Sequence, residues 1–379
     1  MCIMKRVSII CLVIQILMSF PGCAPIFPSA PQTPAPPNDC AEQTYQLSDS
    51  ASNLKLLGRT YADEDGIVCD HTASGIEFEA YVQGDIRLTV EANGDTYFTV
   101  YVDGQRVEER YQAKGQTEIV IDGWKEADNL AIHTFRIVKQ TESSWSTARL
   151  ISMEFYGKLM GAAPNKELYI EFLGDSLTCG YGNLWTKSSA HPSSEAGIAL
   201  YEDGTLAYPY LTAETLKADA SIISYSGIGV DLGWTNPDGN GLKMMDFYEM
   251  RSYSRDKETE FSFTGARVPD LVVINLGCND TSLGSPERAF KAGIKELIQY
   301  IRNGYGAKIP IVWIYGMGDG TAGWVRTVFQ EMGGENEALY LVQIKGDASG
   351  GNGHPSGRAH KVAAAQLSNY LRTIGFSSH

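Results

Sequence analysis

At 379 residues, with 43% hydrophobic and 20% charged content, the chain has room for two folded domains and a globular balance that excludes a disordered protein. A formal net charge of −14 with no basic stripe excludes a nucleic-acid binder, which must meet phosphates with clustered Lys and Arg. A neutral substrate fits better, and 20 tyrosines and six tryptophans would suit stacking on sugars.

The chain opens on a targeting segment. Lys5-Arg6 form a basic start, residues 7–20 form an apolar run short for a bilayer, and Pro21-Gly22-Cys23 follow. Residues 1–22 therefore read as a signal peptide, and the mature protein is expected outside the cytoplasm. Gly before Cys resembles a bacterial lipoprotein cleavage box, whereas Phe20 and Pro21 fit that box poorly. Two expectations follow: membrane attachment through lipidated Cys23, or plain secretion. Residues 23–43 contain APIFPSAPQTPAPPND and read as a proline-rich tether.

Residues 44–160 show short runs of alternating apolar and polar residues. Expected strands are 75–81 (GIEFEAY), 86–91 (IRLTVE), 97–102 (YFTVYV), 118–121 (EIVI), 133–139 (HTFRIVK) and 150–155 (LISMEF). Asn93-Gly94-Asp95 and Asp103-Gly104 read as the turns between them. The pattern predicts an all-β sandwich or jelly roll. His71 and His133 within it read as structural.

The pattern changes in residues 161–379. Apolar strands at 168–173, 221–224, 271–276, 309–315 and 339–344 alternate with helical stretches at 208–217, 286–302 and 325–331. This predicts an α/β domain, a parallel sheet flanked by helices. A last helix at 356–374 starts on Ser356 as N-cap and turns Val362, Ala363, Leu367, Leu371 and Ile374 to one face.

Candidate chemistry collects where these strands end, the edge at which an open α/β sheet binds its ligand. Strand 168–173 delivers Gly174-Asp175-Ser176. Strand 221–224 is followed by Tyr225-Ser226-Gly227, and strand 271–276 by Gly277-Cys278-Asn279-Asp280. His354 stands in the glycine-rich run GGNGHPS before the last helix. A serine hydroxyl becomes a nucleophile when a base such as histidine takes its proton, and the tetrahedral intermediate needs donors aimed at its oxygen. Ser176 with His354, and an oxyanion hole of the Ser176 and Gly227 N–H groups with the Asn279 amide, meet those needs.

These blocks resemble the SGNH (GDSL) hydrolase superfamily: GDSL with Ser176, YSGIG with Gly227, GCND with Asn279 and GHPS with His354. GDSLTCGYGN, ISYSGIGVD, PDLVVINLGCND and GHPS are more specifically similar to carbohydrate esterase family 2. The resemblance covers nearly all of residues 44–376. It implies a flavodoxin-like SGNH domain behind a β jelly roll, and removal of acetyl groups from plant polysaccharides. One departure concerns the acid that orients the histidine. The superfamily's usual position falls on Gly351 and the esterase family's frequent position on Asn352. Asn352 is thus a possible orienting residue, through its side chain or with a backbone carbonyl doing the same work; Asp347 is a distant alternative.

Other residues need placing. His191-Pro192-Ser193 repeats the HPS triplet in a loop without a preceding strand and reads as a decoy. His360 reads as structural, and Asp175 as a stabiliser of the serine turn. Trp185, Trp234 and Trp324 follow strands and could line a sugar cleft or pack in the core. Seven cysteines include Cys2 and Cys11 in the leader. Of the rest, Cys40, Cys69, Cys179 and Cys278 leave every disulfide pairing open, with Cys179 and Cys278 either buried thiols or a bridge between two catalytic loops.

The reading at this stage is an extracytoplasmic serine esterase acting on acetylated polysaccharide or oligosaccharide, as a monomer, with no cofactor and no metal site. Its rivals are a polysaccharide-binding protein with a weakened esterase domain, and a GDSL-type lipase or arylesterase.

Overall fold

The computed structural model describes residues 35–107, 110–124, 127–187, 189, 195–253, 260–318 and 320–377. The leader, Cys23 and His191 lie outside the described residues.

Alternating patterning in the first half builds an antiparallel, mostly-β domain on one nine-stranded sheet. Its strands are β1 (Ala41–Gln46), β2 (Lys55–Leu57), β3 (Tyr61–Asp63), β4 (Gly66–Cys69), β5 (Gly75–Val102), β6 (Gln105–Arg106), β7 (Tyr111–Ile121), β8 (Ala131–Lys139) and β9 (Ala148–Ala162). The inward residues Phe78, Leu88, Phe98, Phe135, Leu150 and Phe155 form its core. The first strand starts at Ala41, inside the segment read as tether.

One turn signal has a different use from the one expected. Residues 75–102 form a single 28-residue strand, and Asn93-Gly94-Asp95 do not reverse the chain. The register against β7 slips between Ala92 and Thr96, so the extra residues form a bulge. A Cβ on Gly94 would stand 2.4 Å from the carbonyl oxygen of Trp145, and the Asn93 side chain accepts the Thr147 N–H at 2.8 Å. The Asn-Gly pair is thus a docking point for the β8–β9 loop. Asp103-Gly104, both at positive φ, do make the tight turn from β5 to β6.

In the second half, apolar runs buried on both faces form a five-stranded parallel sheet of β10 (Tyr169–Gly174), β11 (Asp219–Ser224), β12 (Leu271–Asn275), β13 (Ile311–Tyr315) and β14 (Leu339–Gln343). Its spatial order is β11-β10-β12-β13-β14. The chain reverses direction across the sheet at β10, so the loops leaving β10, β11 and β12 meet at the switch point where such sheets bind ligands. Gly174 pairs with Ser224 on one side and Asn275 on the other, which starts all three loops at one level.

The helices are α1 (Ser176–Cys179), α2 (Tyr208–Thr215), α3 (Met244–Glu249), α4 (Cys278–Ser282), α5 (Glu287–Tyr305), α6 (Ala322–Glu331) and α7 (Gly357–Thr373). Ser356 caps α7 as expected, accepting the Ala359 N–H at 3.3 Å. The buried stripe of α7 runs through His360, Ala363, Ala364, Leu367, Ser368 and Leu371, and Val362 is 48% exposed. The expected face therefore has one outward member. A polar His360 and Ser368 share the stripe because each finds a backbone partner, the Tyr208 N–H and the Ala364 carbonyl.

Polar contacts join the two halves. Arg106 pairs with Asp203 at 2.6 Å, and the Gly204 N–H donates to the Gln140 carbonyl at 2.9 Å. Glu171, buried in the middle of β10, receives the Tyr305 hydroxyl at 3.2 Å and faces the Arg59 guanidinium at 3.8 Å. Arg59, from the β half, lies between the rings of Tyr248 and Phe261, at 4.4 and 3.8 Å from their centroids. A carboxylate in an apolar strand is tolerable only with such partners.

Candidate active site

Strand β10 ends in a sharp turn that the sequence makes self-supporting. Asp175 is the N-cap of α1, its Oδ1 accepting the Leu177 N–H at 3.0 Å; such a cap is worth about 1 kcal/mol. Its Oδ2 receives the Cys278 thiol at 3.0 Å and the Asn279 amide at 3.3 Å. Asp175 thereby ties the loop after β12 to the serine turn, and it does not touch the histidine through any of these bonds.

Ser176 is buried, and its Oγ lies 2.8 Å from His354 Nε2. The loop that carries His354 starts beyond β14, three strands across the sheet from β10, and is brought back by backbone contact with residues 182–183. Gly351 N–H donates to the Gly182 carbonyl and Gly357 N–H to the Asn183 carbonyl, each at 2.9 Å. Gly182 has φ +65°, and a Cβ there would sit 2.9 Å from the Gly351 Cα. Glycine is required on both counts. Tyr181 supplies a floor for the imidazole, with ring centroids 4.4 Å apart.

The opposite imidazole nitrogen faces a backbone carbonyl. His354 Nδ1 is 3.3 Å from the backbone carbonyl oxygen of Asn352. The Asn352 side chain points elsewhere and donates to the Tyr181 hydroxyl at 2.9 Å. Asp347 accepts the Ser349 and Ser356 N–H groups at 3.2 and 3.1 Å, shaping the loop without reaching the base. Burial holds the His354 imidazole below its usual range, against the opposing pull of the Asn352 and Gly351 backbones. It is therefore neutral, and able to accept a proton, at neutral pH.

Across the serine, Gly227 sits in the turn after β11 at φ +82°. Among the described residues neither its N–H nor that of Ser176 has an intramolecular acceptor. Asn279 Nδ2 donates to the Ile228 carbonyl at 2.8 Å, so one amide hydrogen is fixed and the second lies on the longer contact to Asp175. Asp280 accepts three N–H groups, from Val230, Asp231 and Leu232, at 3.0, 2.8 and 3.0 Å. Asn279 and Asp280 together hold the 228–232 loop that follows Gly227. That role was not assigned to Asp280 from sequence, although its place beside Asn279 after a buried strand was the available signal.

The tryptophans separate. Trp234 is 66% exposed, and its Cβ would stand 3.1 Å from a Cβ on Gly227, an aromatic face open beside the site. Trp185 packs on Gly351. Trp324 packs against Phe290, ring centroids 5.6 Å apart, at the edge of the core. Trp145, unassigned from sequence, lies with its ring 6.0 Å from Tyr181. None of the four described cysteines is in a disulfide. The Cys179 thiol bonds the Ser224 hydroxyl at 3.1 Å while Cys278 bonds Asp175, so the two loops are not bridged, with Cys179 buried and Cys278 half-buried.

Residues 170–323 match the GDSL-like lipase/acylhydrolase family. The cellulase/esterase CelE of Acetivibrio thermocellus is 30% identical over 347 residues, 88% of this chain and 41% of CelE. Residues 170–323 thus form a GDSL-type hydrolase domain, and the chain spans less than half the length of CelE. An acetylxylan esterase/glucomannan deacetylase of Cellvibrio japonicus is 23% identical over 348 residues, 87% of this chain and 91% of that protein. A family two carbohydrate esterase from Clostridium thermocellum, solved with cellohexaose, superposes with a TM-score of 0.74 at 27% identity, covering 85% of this chain and 99% of that one. In sequence and in fold the chain is thus similar to family two carbohydrate esterases.

Proposed function

We propose that the chain is a serine esterase that removes O-acetyl groups from plant cell-wall polysaccharides such as xylan and glucomannan. The contact of Ser176 Oγ with His354 Nε2 at 2.8 Å carries this reading. His354 takes the serine proton as Oγ attacks the acetyl carbonyl. The resulting oxyanion is met by the Ser176 and Gly227 N–H groups and the second hydrogen of the Asn279 amide. Collapse breaks the bond to the sugar oxygen, which leaves with the proton from His354. Water, deprotonated by the same imidazole, then attacks the acetyl-serine, and acetate departs as Oγ is reprotonated. The chemistry requires no metal or organic cofactor. Trp234, exposed beside Gly227, offers a stacking face for a sugar ring. The antiparallel half is read as the family's jelly roll, and residues 1–22 with Cys23 as a route to secretion or a lipid anchor.

Acetate release from acetylated xylan and glucomannan, set against release of longer acyl chains from matched esters, tests the reading. Acetyl esters should be preferred. Tight binding to the polysaccharide without acetate release would favour instead a carbohydrate-binding protein, a reading supported by the relative solved with cellohexaose.

The Asn352 carbonyl as orienter leads to a second expectation. Asn352 adopts φ 51°, ψ 36°, a left-handed conformation that asparagine tolerates and alanine resists by roughly 1–2 kcal/mol. Asn352→Ala keeps the carbonyl, so kcat/KM should fall by no more than about 30-fold, the most that this strain could cost. Asn352→Asp should bring no gain, because its carboxylate would face Tyr181. A large increase in kcat/KM for the aspartate variant would show that the side chain can take over the orienting role.

A further inference from the structure

The loop between β8 and β9 belongs to the β half, yet one of its side chains reaches the turn after β11. The Glu142 carboxylate is fully buried. Its Oε2 accepts the Ser226 backbone N–H at 2.6 Å, and its Oε1 accepts the Ser226 hydroxyl. A single carboxylate therefore takes both donors of the residue before Gly227. Glu142 is itself fixed: its N–H donates to Glu202 Oε1 at 2.6 Å, and Glu202 Oε2 accepts the Trp145 indole N–H at 2.9 Å.

Without this clamp the turn has few holds. The Ile228 N–H reaches the Tyr225 carbonyl only at 3.3 Å, and the Tyr225 N–H reaches the Gly174 carbonyl at 3.2 Å. Gly227, at φ +82°, has the backbone freedom of glycine. On its far side the Ile228 carbonyl is held by Asn279 at 2.8 Å. Glu142 before Gly227 and Asn279 after it thus bracket the Gly227 N–H, which among the described residues has no intramolecular acceptor. Bonds to a carboxylate are short and strong, and burying one is costly unless something is gained from its placement.

We propose that Glu142 is a positioning residue through which the β half aims the Gly227 N–H at the oxyanion, so that the active site is completed only by both halves of the chain. This rests on the reading of Ser176 as nucleophile and Gly227 as oxyanion donor. Burial drives the neighbouring Glu202 carboxyl well above its ordinary range, with the Glu142 charge adding to it, and burial also pushes Glu142 up. The positioning rests on the acceptor oxygens that Glu142 presents to the Ser226 N–H and hydroxyl, and glutamine, which keeps one such oxygen, can stand in at the N–H.

Glu142→Ala, Glu142→Gln and Glu142→Asp in the full chain test this on an aryl acetate and by amide hydrogen exchange. Misplacing a donor by about 1 Å costs about 10²-fold, so Glu142→Ala should lower kcat by ~10²-fold while KM stays within about twofold. Glu142→Gln should restore kcat to within about threefold, since it keeps an acceptor for the N–H. Exchange in the peptide spanning residues 225–229 should speed up in the alanine variant and return to normal in the glutamine variant. If Glu142→Ala does not fold, Glu142→Asp, which withdraws the carboxylate by one methylene, should show the kcat loss and the faster exchange. Wild-type kcat with unchanged exchange in the alanine or aspartate variant would overturn the proposal. So would equal kcat losses in the alanine and glutamine variants. If the wild-type chain hydrolyses no ester, the proposed function fails, and exchange at residues 225–229 still decides the role of Glu142.

Discussion

Ser176→Ala should abolish hydrolysis of an aryl acetate, lowering kcat by more than ~10³-fold, as loss of a serine nucleophile does when its partners act as a unit. The fold should survive. The turn around Ser176 is held by the Asp175 cap, by the Thr178 and Cys179 N–H groups on the Asp175 carbonyl and by the Gly180 N–H on the Ser176 carbonyl. None of these bonds uses the hydroxyl. The variant loses one hydrogen bond to His354, a stability change of about 1 kcal/mol, visible as a small shift in thermal midpoint. Activity at the wild-type level in a folded Ser176→Ala protein would remove Ser176 from the chemistry. Polysaccharide binding should persist in this variant, because Trp234 and the loop around Gly227 remain in place. That separates binding from turnover.

The parallel half was legible because its signals are local. Runs buried on both faces in β10 to β14 are continuous and apolar, and each is followed by glycine and polar residues that mark a strand end. Ser176, Gly227 and Asn279 stand at such ends, so their meeting required only that the strands be parallel and adjacent. His354, beyond β14, is instead brought to them by the contacts of its loop with residues 182–183. What could not be read depends on contacts distant in sequence. Asn93-Gly94 carry the signature of a hairpin turn, but the close approach of Trp145 uses the missing Cβ for docking. Glu142 and Glu202 stand in unremarkable polar surroundings in the sequence, and only the packing of the halves buries them. Val362 shows the limit of a periodicity argument, since the apolar stripe of α7 is completed by His360 and Ser368, whose polarity hid them. The group facing His354 Nδ1 stayed open between the Asn352 side chain and a backbone carbonyl for a simpler reason: every residue has a carbonyl, and the sequence does not say which one meets the ring.

Asn279→Ala should lower kcat by ~10²–10³-fold, the cost of removing a side-chain oxyanion donor, with KM changing little. The geometry gives the amide two unequal hydrogens. One is engaged at 2.8 Å by the Ile228 carbonyl and fixes the plane of the amide. The other lies 3.3 Å from Asp175 Oδ2, an oxygen that also holds the Cys278 thiol. The Leu177 N–H on Oδ1 completes the partners named for that carboxyl. Asp175 therefore keeps its turn when the amide turns away. A tetrahedral oxygen carrying a full negative charge competes for that second hydrogen, and contacts of this kind tighten in the transition state. Asn279→Asp should be at least as damaging as alanine, because it sets a second carboxylate against Asp175 and offers no N–H. The alternative is that Asn279 only braces the loop through Ile228. In that case alanine would lower the thermal midpoint while kcat, measured well below that midpoint, fell by less than about tenfold, short of the loss expected for a donor. Faster amide exchange at residues 227–229 is expected under either role, because the bond to the Ile228 carbonyl is lost in both, so the size of the kcat loss decides between them. A large kcat loss would assign the amide to the oxyanion, since Asp280 continues to hold the 230–232 backbone in either variant.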